Sequence, residues 1–241
     1  MKSKWIVALL LMVALLGGCG GGSAKGEPGA VIIVLIDMTT SARADANRYM
    51  QNFTTVLNAA RAGDRIFVVP VTASFVPQIA ASATLPAASA NPVSDAKKLK
   101  EARTKLQTDV AKLLQGERAN VPGTAILAGL QKAGAIYKAE GEGPRTLVIL
   151  SDMIEQGQLD FTTAALSPAG PVLDSLEKEG YLPRLDADVF VAGITAGEAQ
   201  AFQVPQERFQ AITQFWVAYF ERAGARLGPY DRDLLNFKVA R

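Results

Sequence analysis

The chain has 241 residues, 49% of them hydrophobic, and its 25 lysines and arginines nearly balance its 23 aspartates and glutamates. It contains one cysteine and no histidine, which excludes Ser-His-Asp and Cys-His nucleophilic machinery and metal sites built from histidine or several thiolates. Any metal must therefore be held by oxygen ligands, which favours magnesium, manganese or calcium.

The first eighteen residues have the pattern of an export signal. Lys2 and Lys4 supply a positive start, and Trp5–Leu16 is an apolar run too short to span the ~30 Å hydrocarbon core as a permanent helix. Leu16–Cys19 resembles the bacterial lipobox, and this resemblance implies that Cys19 is lipidated. The alternative is an ordinary cleaved signal peptide with an accidental cysteine, but a lone thiol in an exported chain cannot form an intramolecular disulfide.

The expected mature chain begins at Cys19 with a glycine-rich segment. Residues 20–29 predict a flexible tether between the lipid and one domain over residues 30–241. Several acyl chains together hold a protein stably on a membrane. The lipobox resemblance, with glycine and not aspartate after the cysteine, favours the periplasmic side of an outer membrane where the organism has one.

The expected mature chain is electrically neutral. Subtracting Lys2 and Lys4 from the 25 basic residues leaves 23, against 23 acidic residues. A nucleic-acid-binding protein would show a marked basic excess, so we expect no nucleic-acid partner.

Strand and helix patterns alternate through the rest of the chain. Val31–Ile36 is a continuous β-branched run, typical of a strand buried on both faces of a parallel sheet. A helix is predicted over about Ala42–Ala62, because Tyr49, Phe53 and Leu57 recur at fourfold spacing. The alternation predicts an α/β fold with a doubly wound, mostly parallel sheet and helices on both faces. The other predicted elements are a strand at Arg65–Val71, an edge strand around Phe75–Ile79, helices near 95–115 and 124–139, a strand at 145–150, a helix near 169–179, a strand at Ala187–Ile194, a helix near 205–224 and a candidate final strand at Leu235–Val239.

The helix near 205–224 carries an apolar side. Its large residues recur on roughly one face, which predicts packing against the sheet, with a partner-binding surface as the alternative. These residues are Phe209, Ile212, Trp216, Tyr219 and Phe220.

Polar residues cluster at three loops that this fold would bring together. They are Asp37–Ser41 after the first strand, Val121–Thr124 before a helix, and Ser151–Met153 after the strand at 145–150. Ligands in open α/β sheets bind at the carboxyl ends of the strands. Mg²⁺ prefers hard oxygen ligands in near-octahedral order, which carboxylates and hydroxyls supply.

The three loops resemble the metal-ion-dependent adhesion site of von Willebrand factor A (VWA) domains. In that family the first motif reads Asp-x-Ser-x-Ser, which corresponds to Asp37, Thr39 and Ser41, while a later threonine and aspartate correspond to Thr124 and Asp152. The resemblance implies a non-enzymatic module that binds Mg²⁺ (or Mn²⁺ or Ca²⁺) and engages an acidic side chain of a protein partner. It covers essentially the whole domain.

Two positions depart from the family pattern. Thr39 stands where serine is commoner, and Met153 stands where glycine usually follows the aspartate. These departures leave open a structural lipoprotein whose metal site has degenerated.

Helix capping is an alternative explanation for the same polar residues. Ser41 and Thr124 are preferred N-cap types, and Asp152 with Glu155 has the spacing of a capping box. The order and position of the residues taken together favour the metal site over capping.

An enzyme is the alternative from another functional class. Asp37 at the end of the first strand resembles the nucleophile of haloacid dehalogenase-like phosphatases, which also use Mg²⁺. Those enzymes carry a second aspartate two residues further on as general acid, and this chain has Thr39 there.

Overall fold

The computed structural model of the chain describes residues 28–39, 42, 45–73, 76–116, 123–193 and 204–241. Helices and strands alternate along most of these ranges. In none of them is a helix long and apolar enough to cross a membrane. The elements are β1 (Val31–Asp37), α1 (Ala46–Ala59), β2 (Arg65–Val71), β3 (Ala81–Thr84), α2 (Pro92–Gln115), α3 (Ile126–Glu140), β4 (Arg145–Leu150), α4 (Ala169–Lys178), β5 (Asp188–Ala192), α5 (Gln206–Arg222) and β6 (Arg226–Asp231).

The strands form one sheet in the order β3-β2-β1-β4-β5-β6. Only β3 is antiparallel to its neighbour, and the other four pairings are parallel. The predicted doubly wound, mostly parallel α/β fold is therefore confirmed. The parallel strands all end on the same side of the sheet, here called the carboxyl edge, and begin at the opposite amino edge.

Helices cover both faces of the sheet. Alternate residues of β1 point to opposite faces, as a pleated strand requires. Val31, Ile33 and Leu35 pack in one cluster with α3, α4 and α5, while Ile32 and the other even-numbered residues pack in a second cluster with α1 and α2. The apolar side of α5 lies in the first cluster, which confirms its predicted packing against the sheet; its buried residues are Ile212, Phe215, Trp216, Tyr219 and Phe220.

Two predicted strands are misplaced. The edge strand is Ala81–Thr84, and Ile79 precedes it outside any strand. Its four small residues give a weak strand pattern, since little side-chain surface can pack there. The last strand is Arg226–Asp231, not Leu235–Val239. A Gly-Pro pair inside β6 suggests a turn, but proline is tolerated in an edge strand.

Residues 232–241, here called the C-terminal strap, contain no helix or strand and lie across the α1 side of the sheet. The side chain of Asn52 in α1 accepts a hydrogen bond from the start of the strap at 3.0 Å. Further along, the ring of Phe237 packs edge-on against a phenylalanine of β5 at 4.9 Å. At its end, the Arg241 guanidinium donates to the fully buried Asp64 carboxylate at 2.7 Å. The strap therefore covers part of the sheet that α1 and α2 leave open.

Candidate metal centre

Asp37 is the fully buried last residue of the central strand β1. Its Oδ1 accepts hydrogen bonds from the backbone N–H of Thr39 at 2.9 Å and from the Thr39 hydroxyl at 2.7 Å. Its Oδ2 accepts from the Ser151 hydroxyl at 2.8 Å. These three bonds fix the carboxylate between the ends of β1 and β4.

Thr124 reaches the carboxyl edge through two backbone hydrogen bonds. The N–H of the next residue, Ala125, donates to the Thr72 carbonyl just after β2 at 3.0 Å, and the Thr124 carbonyl accepts from Gln156 in the loop after β4 at 2.9 Å. Thr124 itself is buried. The N-cap of α3 is Ala125, so the interpretation of Thr124 as a side-chain cap is wrong.

Asp152 and Glu155 do not form a capping box, because no helix begins beside them; the next helix, α4, starts at Ala169. Asp152 instead turns its own loop by accepting from the backbone N–H of Ile154 at 2.9 Å. It directly follows Ser151, which hydrogen-bonds to Asp37, and the Asp37 charge helps to raise the pKa of the Asp152 carboxyl.

Glu155 has a role that its sequence position does not reveal. Its buried carboxylate accepts backbone N–H bonds from Leu127 in the first turn of α3 at 2.9 Å and from Gly157 and Gln158 in its own loop at 2.8 and 2.9 Å. A buried carboxylate that accepts hydrogen bonds from two segments holds those segments together. Glu155 thereby fixes the loop of Asp152 against the helix that follows Thr124.

The structure brings four of the predicted ligands to the carboxyl edge. Asp37 and Thr39 are in direct contact, the Asp37 charge helps to raise the pKa of Asp152, and Thr124 joins the same loops. Ser41 lies outside the described residues, as does the predicted lipidation site Cys19. Within the described ranges, no three His, Cys, Asp or Glu side chains group closely enough for a metal ion, so hydroxyl oxygens would have to complete a coordination shell.

Comparisons with known proteins concern the fold. No protein family and no curated protein matches the sequence. Among solved structures, the chain is similar to a von Willebrand factor type A protein from Catenulispora acidiphila, with 14% identity, a TM-score of 0.44, and coverage of 78% of this chain and 43% of that one. Two further similar structures are the conserved hypothetical protein BatB from Bacteroides thetaiotaomicron (10% identity, TM-score 0.37, coverage 84% and 91%) and an aerotolerance-related membrane protein from Bacteroides fragilis (12% identity, TM-score 0.39, coverage 68% and 67%). The chain spans less than half the length of the first of these structures.

Met153, which stands where the resembling pattern has glycine, has an unusual backbone conformation. Met153 has φ 62°, the left-handed conformation that glycine adopts most easily. Its side chain is fully buried, and its carbonyl accepts a hydrogen bond from the Trp216 indole at 2.9 Å. The left-handed conformation costs about 1–2 kcal/mol, whereas burying a methionine side chain contributes about 1.5–3 kcal/mol. The side chain therefore offsets the strain by packing into the core.

We expect Met153→Gly to lower the free energy of unfolding by about 0.5–1 kcal/mol while leaving the loop in place, since lost burial outweighs relieved strain. Met153→Ala should be about 1 kcal/mol less stable than Met153→Gly, because alanine loses most of the packing and retains the positive φ. Denaturant unfolding of both variants measures the difference. An alanine variant more stable than the glycine variant would contradict the left-handed conformation.

The electrostatic environment of the carboxyl edge favours a cation. Burial raises the pKa of the Asp152 carboxyl to about 7, the Asp37 charge adds to the shift, and the hydrogen bond from Ile154 opposes it. Asp152 is half-buried, and the surrounding protein excludes most of the water that would otherwise hydrate its carboxylate. The pKa values of Tyr49 and Tyr230 are also raised, first by burial and then by nearby carboxylates. A hard divalent cation fits this concentration of negative charge and hydroxyl oxygen.

Proposed function

We propose that the protein is a membrane-anchored, VWA-like binding module that engages a protein partner through a divalent cation, Mg²⁺ or else Mn²⁺ or Ca²⁺. The residues that would hold the cation, directly or through water, are Asp37, Thr39, Ser41, Thr124 and Asp152. When bound, the cation would supply a positive charge that an acidic side chain of the partner can approach.

The observation that carries this proposal is the hydrogen bonding of Asp37. The Thr39 hydroxyl donates its proton to Asp37, and both residues are buried. The lone pairs of the hydroxyl oxygen are then the part of this group that would face a cation. The Ser151 hydroxyl holds the other carboxylate oxygen. The chain thus orients its oxygen atoms before any ligand arrives.

The membrane part of the proposal rests on the sequence. Lipid on Cys19 would hold the domain on the membrane, at the periplasmic side of an outer membrane where the organism has one. The VWA-like fold supports a module that acts by binding rather than by catalysis.

The same hydrogen bonds favour binding over phosphatase chemistry. Both oxygens of Asp37 already accept hydrogen bonds, two of them from Thr39. A phosphatase of the haloacid dehalogenase type needs a carboxylic acid at position 39 as proton donor, and a hydroxyl committed to the nucleophile itself cannot replace it.

Calorimetric titration of Mg²⁺ and Mn²⁺ into the purified protein tests the proposal. We expect stoichiometric binding to the wild type and none to Asp37→Ala, because the variant removes the central carboxylate. The matched control is Asp160→Ala: Asp160 accepts from the N–H of Thr162 at 2.8 Å and from its hydroxyl at 2.5 Å, as Asp37 does from Thr39, but it is exposed.

Two outcomes of the titration would overturn the cation site. The first is no binding to a folded wild-type protein, which would favour the degenerate structural lipoprotein. The second is equal loss of binding in Asp37→Ala and Asp160→Ala. Circular dichroism of Asp37→Ala and Asp37→Asn separates loss of the site from loss of the fold.

A further inference from the structure

The described domain begins at the amino edge of the sheet, opposite the candidate metal centre. Gly29 packs so tightly that an added Cβ would lie 1.9 Å from the Gly63 carbonyl oxygen, and Val31 donates to the Pro144 carbonyl at 2.9 Å. From there β1 runs directly to Asp37 over seven residues, about 20 Å at ~3.3 Å per residue. The entry point of the chain and the metal centre therefore lie on opposite edges.

The first half of helix α2 also lies at the amino edge. The Arg103 guanidinium donates to the carbonyl of Ala60 at the end of α1, and the Gln107 side chain donates to Thr54 in the middle of α1 at 3.3 Å. Residues after Arg103 therefore run along α1 towards the carboxyl edge. Residues before it run the other way, past the end of α1 by ~1.5 Å for each residue.

This part of α2 is basic and exposed. Together with Arg61, in the turn after α1, its lysines form a surface that we call the amino-edge basic surface; its residues are Arg61, Lys97, Lys98 and Lys100, and all four are exposed. Lys97 pairs with Glu101 at 3.9 Å, but both side chains are well exposed, and such exposed ion pairs are only weakly attractive. Val93, which is 83% exposed, lies one helical turn before Lys97 and adds an apolar tip to the same side.

We propose that the amino-edge basic surface docks on anionic phospholipid headgroups of the membrane, with the candidate metal centre facing away from the bilayer. This inference rests on the lipid anchor at Cys19, which is part of the proposed function. Only eight residues, 20–27, lie between Cys19 and Pro28, and the nine steps from Cys19 to Pro28 reach at most about 30 Å when fully extended. An anchored domain is therefore held close to the headgroups at the edge where its lysines lie.

The docked orientation has a predictable charge dependence. Each lysine near an anionic membrane surface strengthens association roughly fivefold, so removing two lowers the ratio of docked to undocked domain roughly 25-fold. Lysine side chains can bury their methylene groups at the interface beside Val93 while their ammonium groups remain among the phosphates.

The test uses the full chain isolated from membranes and reconstituted in vesicles of phosphatidylcholine alone or with phosphatidylglycerol. Because lipid blocks Cys19, a fluorescent dye can be attached to a single introduced cysteine. On Ala96→Cys in α2, quenching of the dye by nitroxide-labelled lipids reports contact with the membrane. The same dye on Thr163→Cys, in the exposed turn after β4, is the distant reference. We expect quenching at position 96 only in anionic vesicles and its loss at high salt.

A pair of lysine variants supplies the matched control. In Lys97→Gln/Lys100→Gln and in Lys105→Gln/Lys112→Gln, the same helix loses two charges, and in each pair one lysine has an i,i+4 carboxylate partner. The first variant should lose the quenching at position 96, and the second should keep it.

Equal quenching in neutral and anionic vesicles, or equal loss in both lysine variants, overturns the proposal. Quenching at position 163 that matches position 96 overturns the orientation. The mass of the mature chain shows separately whether Cys19 carries lipid. A chain without lipid overturns both the anchor and the docked orientation. No step requires a divalent cation, so failure here leaves the cation site standing.

Discussion

Replacing Asp64 by alanine should lower the free energy of unfolding by about 3 kcal/mol or more. Asp64 is fully buried, and its carboxylate accepts from the backbone N–H groups of Ala30 at 2.9 Å and Arg61 at 2.7 Å. The Arg241 guanidinium adds two bonds, at 2.7 and 3.1 Å. Alanine would leave these donors, among them the buried N–H of Ala30, without their acceptor and would release the end of the C-terminal strap.

Two controls separate the buried pair from an ordinary surface ion pair. Arg241→Ala should cost less than Asp64→Ala, because Asp64 keeps its two backbone donors. Asp188→Ala breaks a pair at the same edge in which Arg226 is 84% exposed, so it should change stability by no more than about 1 kcal/mol. Equilibrium denaturant unfolding measures all three variants. An Asp64→Ala protein as stable as Asp188→Ala would show that the strap is dispensable.

The buried strands could be predicted from sequence because their pattern is unambiguous. A parallel strand covered on both faces reads as a continuous apolar run, and Val31–Asp37 is such a strand, buried at every residue. Edge strands carry a weaker pattern because they pair on one side only. Ala81–Thr84 has small residues, and Arg226–Asp231 contains a Gly-Pro pair, so the sequence pattern misplaces both edges of the sheet.

A candidate site residue could be predicted where it directly follows a strand or precedes a helix. Asp37 and Asp152 were placed by the strands that precede them, and the fold supplied the edge on which they meet. Ser151 holds an oxygen of Asp37, and its neutral hydroxyl beside Asp152 gives no sign of that contact in the sequence. Glu155 contacts Leu127, 28 residues away in sequence, and no local pattern encodes such a contact.

Gly193, directly after β5, should tolerate no side chain, and Gly193→Ala is expected to lower the free energy of unfolding by about 3 kcal/mol or more. A Cβ there would lie 1.7 Å from the carbonyl oxygen of Ser151 and 3.3 Å from the backbone nitrogen of Asp152. Backbone at the end of β4 would have to move, and the hydroxyl that holds Asp37 would move with it. The variant should therefore lose Mg²⁺ binding even where it remains folded.

Gly170→Ala is the matched control, because an added Cβ at Gly170 in α4 meets nothing within 4 Å. Alanine is favoured over glycine in a helix by up to about 1 kcal/mol, so this variant should be slightly more stable than the wild type and bind Mg²⁺ normally. Thermal unfolding and calorimetric titration at low temperature compare the two glycine variants. If Gly193→Ala kept wild-type stability and Mg²⁺ binding, the close approach of β5 to Ser151 would not position the cation site. Glu155 would then be the remaining contact that holds the loop of Asp152 in place.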